Sequence, residues 1–209
     1  MIPLKILLSL LSAWLFTEFV GYWLHMLLHS EKVEFLSRNH MIHHLVVYPP
    51  NTPQRPEEKY LGSTYGRAAL LGIGMEWIGP VALILGGSIA VMIWAGVAPA
   101  YQAVFAAGSL LWGWVMFAYV HDGMHVKGFW LTRWPLLQAW FMNARRLHDI
   151  HHMDLVDDGR ETVNFGICFF FFDRLFGSYR SEFRPFNHAG LKAAMTRYAY
   201  ALPTADSGV

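Results

Sequence analysis

Trp77-IGPVALILGGSIAVMIWAGVAPAYQAVFAAGSLLWGWVMFAY-Val120 contains no Asp, Glu, Lys, Arg or His in 44 residues. As one helix it would reach roughly 66 Å, about twice the hydrocarbon thickness of a bilayer. Gly96-Val97-Ala98-Pro99-Ala100, near the middle, reads as a tight turn. The stretch is therefore a helical hairpin with spans near residues 79–95 and 101–120. A further span precedes it. Residues 6–28 carry no charged residue or histidine other than Glu18 and His25, and as a helix they extend roughly 35 Å.

Composition agrees. The 209 residues are 55% hydrophobic, 16% aromatic and only 15% charged, too apolar for an ordinary soluble domain. A net charge of +1 gives no reason to expect nucleic acid as a partner. The single cysteine, Cys168, excludes an intramolecular disulfide and a multi-cysteine metal cluster. The apolar N-terminus has Lys5 as its only basic residue and runs straight into His25 and His29, so it reads as a retained span rather than a cleaved signal.

Ten of the eleven histidines fall into four groups. They are His25-x-x-x-His29, His40-x-x-His43-His44, His121-x-x-x-His125 and His148-x-x-His151-His152. Positions i, i+3 and i+4 of a helix share a face, so each group is expected to aim its imidazoles at one point. One His-x-x-His-His arises by chance in roughly a few of a hundred such chains. Two, each downstream of a His-x-x-x-His at the end of a span, point to bound metal. Imidazole suits zinc, copper, iron and nickel alike. Ten histidines without a cysteine quartet favour two ions with an exchangeable position over one structural zinc.

The first span delivers His25 and His29 to one membrane face, and the hairpin leaves that face and returns to it with His121 and His125. Fifteen of the sixteen Lys and Arg residues, all but Lys5, lie in segments on that face, which the positive-inside rule makes cytoplasmic. The expected fold is all-α: a multi-pass integral membrane protein of three to four transmembrane helices under a cytoplasmic, histidine-rich cap of shorter helices. Residues 46–67 read as a proline-rich loop over a substrate entrance, 135–152 as a helix, and 166–176 as an interfacial or re-entrant segment. Residues 204–209 read as disordered.

Several polar residues are candidates for orienting the histidines. Glu18 lies two and three turns before His25 and His29 on the same helical stripe, and a carboxylate within a span is a functional candidate by default. Asp122 and Asp149 adjoin histidines; each either orients an imidazole, faces water, or pairs with Arg145 or Arg146. Asn164 reads either as a metal contact or as a turn residue. Asp173 and Arg174 read as a surface ion pair, and His188 as structural or solvated.

With these motifs the chain resembles the fatty acid hydroxylase and sterol desaturase superfamily, from about Glu18 to Arg180. The four histidine groups match that signature in order and type. Asn164-Phe165-Gly166 and Asp173-Arg174-Leu175-Phe176-Gly177-Ser178-Tyr179-Arg180 look like the segment that follows the last histidine box. His121-Asp122-Gly123-Met124-His125 also looks like the box of bacterial beta-carotene hydroxylases, except that three residues separate the histidines here and four there. The resemblance implies a membrane domain over residues 1–184 with a peripheral tail at 185–209. It also implies a non-haem di-iron centre, with zinc as a substitute in purified protein, and molecular oxygen as oxidant. The electron donor would be an external protein of ferredoxin or cytochrome type, and the substrate an apolar lipid, sterol or carotenoid that is hydroxylated or desaturated.

Other classes fit the motifs less well. A zinc hydrolase commonly carries His-Glu-x-x-His, and neither His-x-x-x-His here has that glutamate. A transporter places its ligands near the membrane midplane, not at span exits. A non-catalytic relic finds no support, because all four boxes are intact.

Overall fold

The computed structural model describes residues 2–51, 55–57, 59–61, 69–70 and 73–202. The expected loop over 46–67 is therefore described in part, and residues 204–209 lie outside the described residues. Three helices are long and apolar enough to cross a membrane: Ile2–Leu28, Met75–Trp94 and Pro99–Met124. The first is helix α1 (Ile2–Leu28). After it come α2 (Glu34–Ile42), a π-helical stretch His43–Val47, and a two-residue antiparallel ladder of Ala69–Leu70 with Ile73–Gly74. Helix α3 (Ile78–Trp94) and α4 (Pro99–Gly113) form the hairpin. Gly96 makes the turn at φ 70, where a side chain would be strained, and Pro99 opens α4 at its first position.

A second π-helical stretch, Trp114–Val120, carries α4 into the short α5 (His121–Met124). Helices α6 (Gln138–Met153), α7 (Phe171–Phe176) and α8 (His188–Arg197) build the cap. Expected and observed helices agree to within a few residues; α6 begins after Pro135 rather than at it.

No residue of α3 is buried, and Leu83, Val91 and Trp94 are 78%, 63% and 88% exposed. Such a face is stable only against lipid. This is an integral membrane protein.

Helices α1 and α4 run parallel in a fixed register. Lys5 lies under the Tyr101 ring, Thr17 meets Gly113, and Gly21 meets Phe117. Each pair is offset by 96 positions, which sets His25 level with His121. Small residues allow the approach: a Cβ on Gly21 would lie 2.1 Å from the Phe117 ring, and one on Gly108 would lie 3.2 Å from Ala13 Cβ. The Lys5–Tyr101 contact also places the N-terminal end of α1 beside the hairpin turn, at the end of the bundle opposite the histidines.

The cap is a packed layer. Val120, Met124, Phe141, Leu147 and Ile150 form its core. From 185 onward, read from sequence as a peripheral tail, α8 and the turn after it bury Ala194, Tyr198 and Ala201 against Met41, Leu45 and Leu155. The Tyr198 hydroxyl donates to the His29 carbonyl at 2.8 Å. His188 stands exposed at the start of α8.

Candidate metal centre

The ten box histidines converge at the cap end of the spans, in two adjoining groups. In the first, donor atoms of His25, His29, His40, His44 and His151 all lie within 4.8 Å of one another. In the second, those of His43, His125, His148 and His152 do so. His121 flanks the second group, its ring 4.8 Å from His148 and 5.0 Å from His43. The groups meet where His44 and His152 stack with centroids 3.9 Å apart.

The boxes are not each aimed at one point, as helix spacing suggested. Box two divides: His40 and His44 serve the first group and His43 the second. Box four divides in the same way, His151 against His148 and His152. Residues i and i+4 stay together while i+3 falls about 100° from i+4 and looks to the other side. The π-helical winding at His43–Val47, where Tyr48 N–H reaches back to the His43 carbonyl at 2.9 Å, adds to this rotation.

One segment, residues 161–165, grips the outer nitrogens of the first group. The Phe165 carbonyl accepts from His25 Nδ1 at 2.6 Å and the Val163 carbonyl accepts from His151 Nδ1 at 2.7 Å. Glu161 places one oxygen 2.8 Å from His44 Nδ1 and the other 2.5 Å from His29 Nδ1, the latter off the axis of a hydrogen bond. A carbonyl has no proton to give, so His25 and His151 carry theirs on Nδ1. Their Nε2 lone pairs then face the interior of the group. Among the described residues the buried Nε2 atoms of His25, His43, His44, His121 and His151 have no hydrogen-bond partner.

Burial and mutual repulsion hold His40, His43, His44, His125, His148 and His152 well below the usual imidazole range. Burial alone brings His29 to about 3, and burial with the neighbouring His29 brings His151 to about 3. All are neutral at pH 7, the form that ligates metal. Orphaned, neutral nitrogens gathered in two buried groups, with the tautomers of His25 and His151 fixed, could hold metal.

A family model described as Fatty acid hydroxylase matches residues 10–178. The chain belongs to the fatty acid hydroxylase family. Searches of curated proteins and of solved structures returned no match. Membership makes this an oxidoreductase of the type that acts on lipid at a membrane, and the three spans and histidine clusters agree with it.

The other sequence candidates divide. Asp122 lies 3.3 Å from His121 Nδ1, beside an imidazole as expected. Among the described residues Asp149 pairs with Arg55, with Arg145 as a further electrostatic neighbour, and no hydrogen bond joins it to a histidine. Arg55 also donates to the Met124 carbonyl at 2.9 Å, so the pair ties the 55–57 strand of chain to box three. Glu18 is buried and accepts from the Trp112 indole at 2.7 Å, a link between α1 and α4 rather than a contact with histidine. Asn164 spends its amide on backbone. It donates to the Leu147 and Arg180 carbonyls at 3.0 and 2.9 Å and accepts from Arg180 N–H at 2.8 Å.

Asp173 is fully buried, which corrects its reading as a surface ion pair with Arg174. It accepts from the N–H groups of Phe165 and Gly166 at 2.7 and 2.8 Å and from Ser178 Oγ at 2.7 Å. Arg174 instead lies over the Tyr179 ring at 3.6 Å. Asp173 and Asn164 thus shape the 161–165 segment that holds the histidines. Glu161 itself was missed in the sequence.

A cavity of about 310 Å³ lies between α1, α3 and α4. Its walls are apolar, with Val20, Leu24, Ile84 and Phe117 among them, and its cap end is formed by His25, His40 and His121. It thus touches histidines of both groups.

Proposed function

We propose that this family member is a di-iron oxygenase that hydroxylates or desaturates an apolar lipid at the cytoplasmic face of the membrane. The observation that carries this reading is the cavity: an apolar, chain-sized space among the spans that ends on His25, His40 and His121. Its size lies in the range of small-molecule sites.

Bound iron supplies activation of molecular oxygen for attack on an unactivated C–H bond. The chain's residues do the rest. His25, His29, His40, His44 and His151 hold one ion; His43, His125, His148 and His152, with His121 beside them, hold the other. The carbonyls of Phe165 and Val163 keep the His25 and His151 protons on Nδ1, and Glu161 holds the rings of His29 and His44 in place. Tyr48, stacked on His125 at 4.2 Å, and Tyr60, whose hydroxyl lies 3.1 Å from His43 Nδ1, close the second group from water. The apolar walls align the substrate with its reacting carbon toward the histidines.

In hydroxylation, one atom of O2 enters the C–H bond and the other leaves as water, with two electrons from an external donor protein and two protons. Desaturation takes two hydrogens from the substrate, and with the same two electrons and two protons both atoms of O2 leave as water. Expression in a host followed by mass spectrometry of its lipids distinguishes the two, as gain of one oxygen or loss of two hydrogens. His148→Ala is expected to abolish the change; an unchanged profile in that variant would remove the second group from the chemistry.

A further inference from the structure

The two histidine groups are braced differently. In the first, four of the five histidines have their outer nitrogen held: His25 and His151 by the Phe165 and Val163 carbonyls, His29 and His44 by Glu161. In the second, the Nε2 atoms of His125, His148 and His152 face one another, 3.0 Å apart for His125 and His148 and 3.1 Å apart for His148 and His152. Their outer sides are poorly served. Nδ1 of His148 and Nδ1 of His152 are buried with no hydrogen-bond partner among the described residues. His43 Nδ1 meets a neutral partner, the Tyr60 hydroxyl at 3.1 Å, and Asp122 stands 3.3 Å from the flanking His121. A partner on the outer nitrogen fixes a ligating ring and raises its basicity, and its loss typically costs about ten- to a hundredfold in metal affinity.

The surroundings differ in the same sense. His25 and His40 of the first group border the apolar cavity between the spans. His125 and His152 of the second border a separate cleft of about 20 Å³, on the order of one water in size. Arg55 and Asp149 line that cleft too, with side chains 24% and 26% exposed, so it adjoins water.

We propose that the two groups hold metal unequally: the first retains its ion, while the second exchanges its ion with water through the cleft beside Arg55 and Asp149. This rests on the reading of one ion per group, and not on the oxygen chemistry. The second group is then the last to fill and the first to empty. Partial removal of metal leaves a protein with one ion, held among His25, His29, His40, His44 and His151.

Zinc tests this on the full-length protein in detergent, because imidazole binds it and it has no redox chemistry of its own. Protein saturated with zinc is mixed with excess chromophoric chelator, and release is followed in time. Two phases of equal size are expected, separated by about ten- to a hundredfold, the difference in affinity at similar rates of capture. His148→Ala should remove the fast phase and His151→Ala the slow one. Two further variants keep all ten histidines: Arg55→Ala should quicken the fast phase alone, and Glu161→Ala the slow phase alone. Both zincs leaving in one phase, or the reverse assignment of the phases, overturns the proposal and leaves one ion per group standing. An unchanged fast phase in Arg55→Ala overturns the cleft as the route. Fewer than two zincs per chain at saturation overturns the reading of one ion per group, and this proposal with it.

Discussion

The carboxylate of Glu161 meets Nδ1 of His44 at 2.8 Å, deep in the cap, with both side chains almost fully buried. The same carboxylate touches His29, so one residue braces histidines from box one and box two. A buried carboxylate on the outer nitrogen of a ligating imidazole fixes its ring and raises its basicity. Glu161→Ala is therefore expected to weaken metal binding by about ten- to a hundredfold. Glu161→Gln, which keeps an acceptor, should weaken it less. Competition with a chromophoric chelator reads both; equal affinity in all three proteins would reduce Glu161 to a packing residue.

Gly21 lets the Phe117 ring come where a Cβ would stand 2.1 Å away. Gly21→Ala forces the ring or the helix aside, and overpacking of this kind costs about 1–3 kcal/mol. Phe117→Leu, by removing the obstructing ring, should restore the melting temperature of Gly21→Ala. Failure of the double variant to recover would mean that α1 and α4 do not pack in the parallel register seen here.

Stability should fall in mild acid. Eight box histidines outside the spans have folded pKa values below the ordinary imidazole value of 6.5, His29 and His151 at about 3. Between about 3 and 6.5 the unfolded chain binds more protons at these positions, so their contribution is fully present above 6.5 and is lost as pH drops through that window. Glu161, pushed up by burial from the ordinary 4.5 to about 8, acts the other way between 4.5 and 8, one group against eight. The melting temperature of metal-free protein is expected to fall on going from pH 6.5 to pH 4.5. A rise over that range would show that the histidines are not buried together.

Asn164 adopts φ 55, in the left-handed region that asparagine tolerates and alanine resists. Its amide also makes three backbone hydrogen bonds. Asn164→Ala should cost a few kcal/mol by loss of those bonds and by strain. Asn164→Gly removes the strain alone and should fall between. Calorimetric melting of the three proteins checks the order; alanine as stable as asparagine would contradict the clamp.

The spans, the hairpin and the convergence of the boxes were legible because each rests on a period that sequence displays directly. An uncharged run of fixed length reports the bilayer, and i, i+3, i+4 histidines report a helical face. The division of His43 from His40 and His44 was not legible, because it depends on π-helical winding that no spacing announces. Glu161 was hidden in a charged stretch, Asp157-Asp158-Gly159-Arg160-Glu161, that reads as solvated surface. Asp173 misled for the opposite reason. Its neighbour Arg174 suggested an ion pair, while the donors that bury it, the N–H groups of Phe165 and Gly166, are main chain and belong to no side-chain pattern. Glu18 was singled out as a carboxylate inside a span that could orient a histidine, but its partner here is Trp112 from the other helix.

The proposed function has each of the two histidine groups hold one iron, and its most direct test is iron per chain in protein loaded anaerobically and stripped of loosely bound metal. Two irons are expected for the wild type, and about one each for His151→Ala, which opens the first group, and His148→Ala, which opens the second. A single iron in the wild type, or two in either variant, would contradict it.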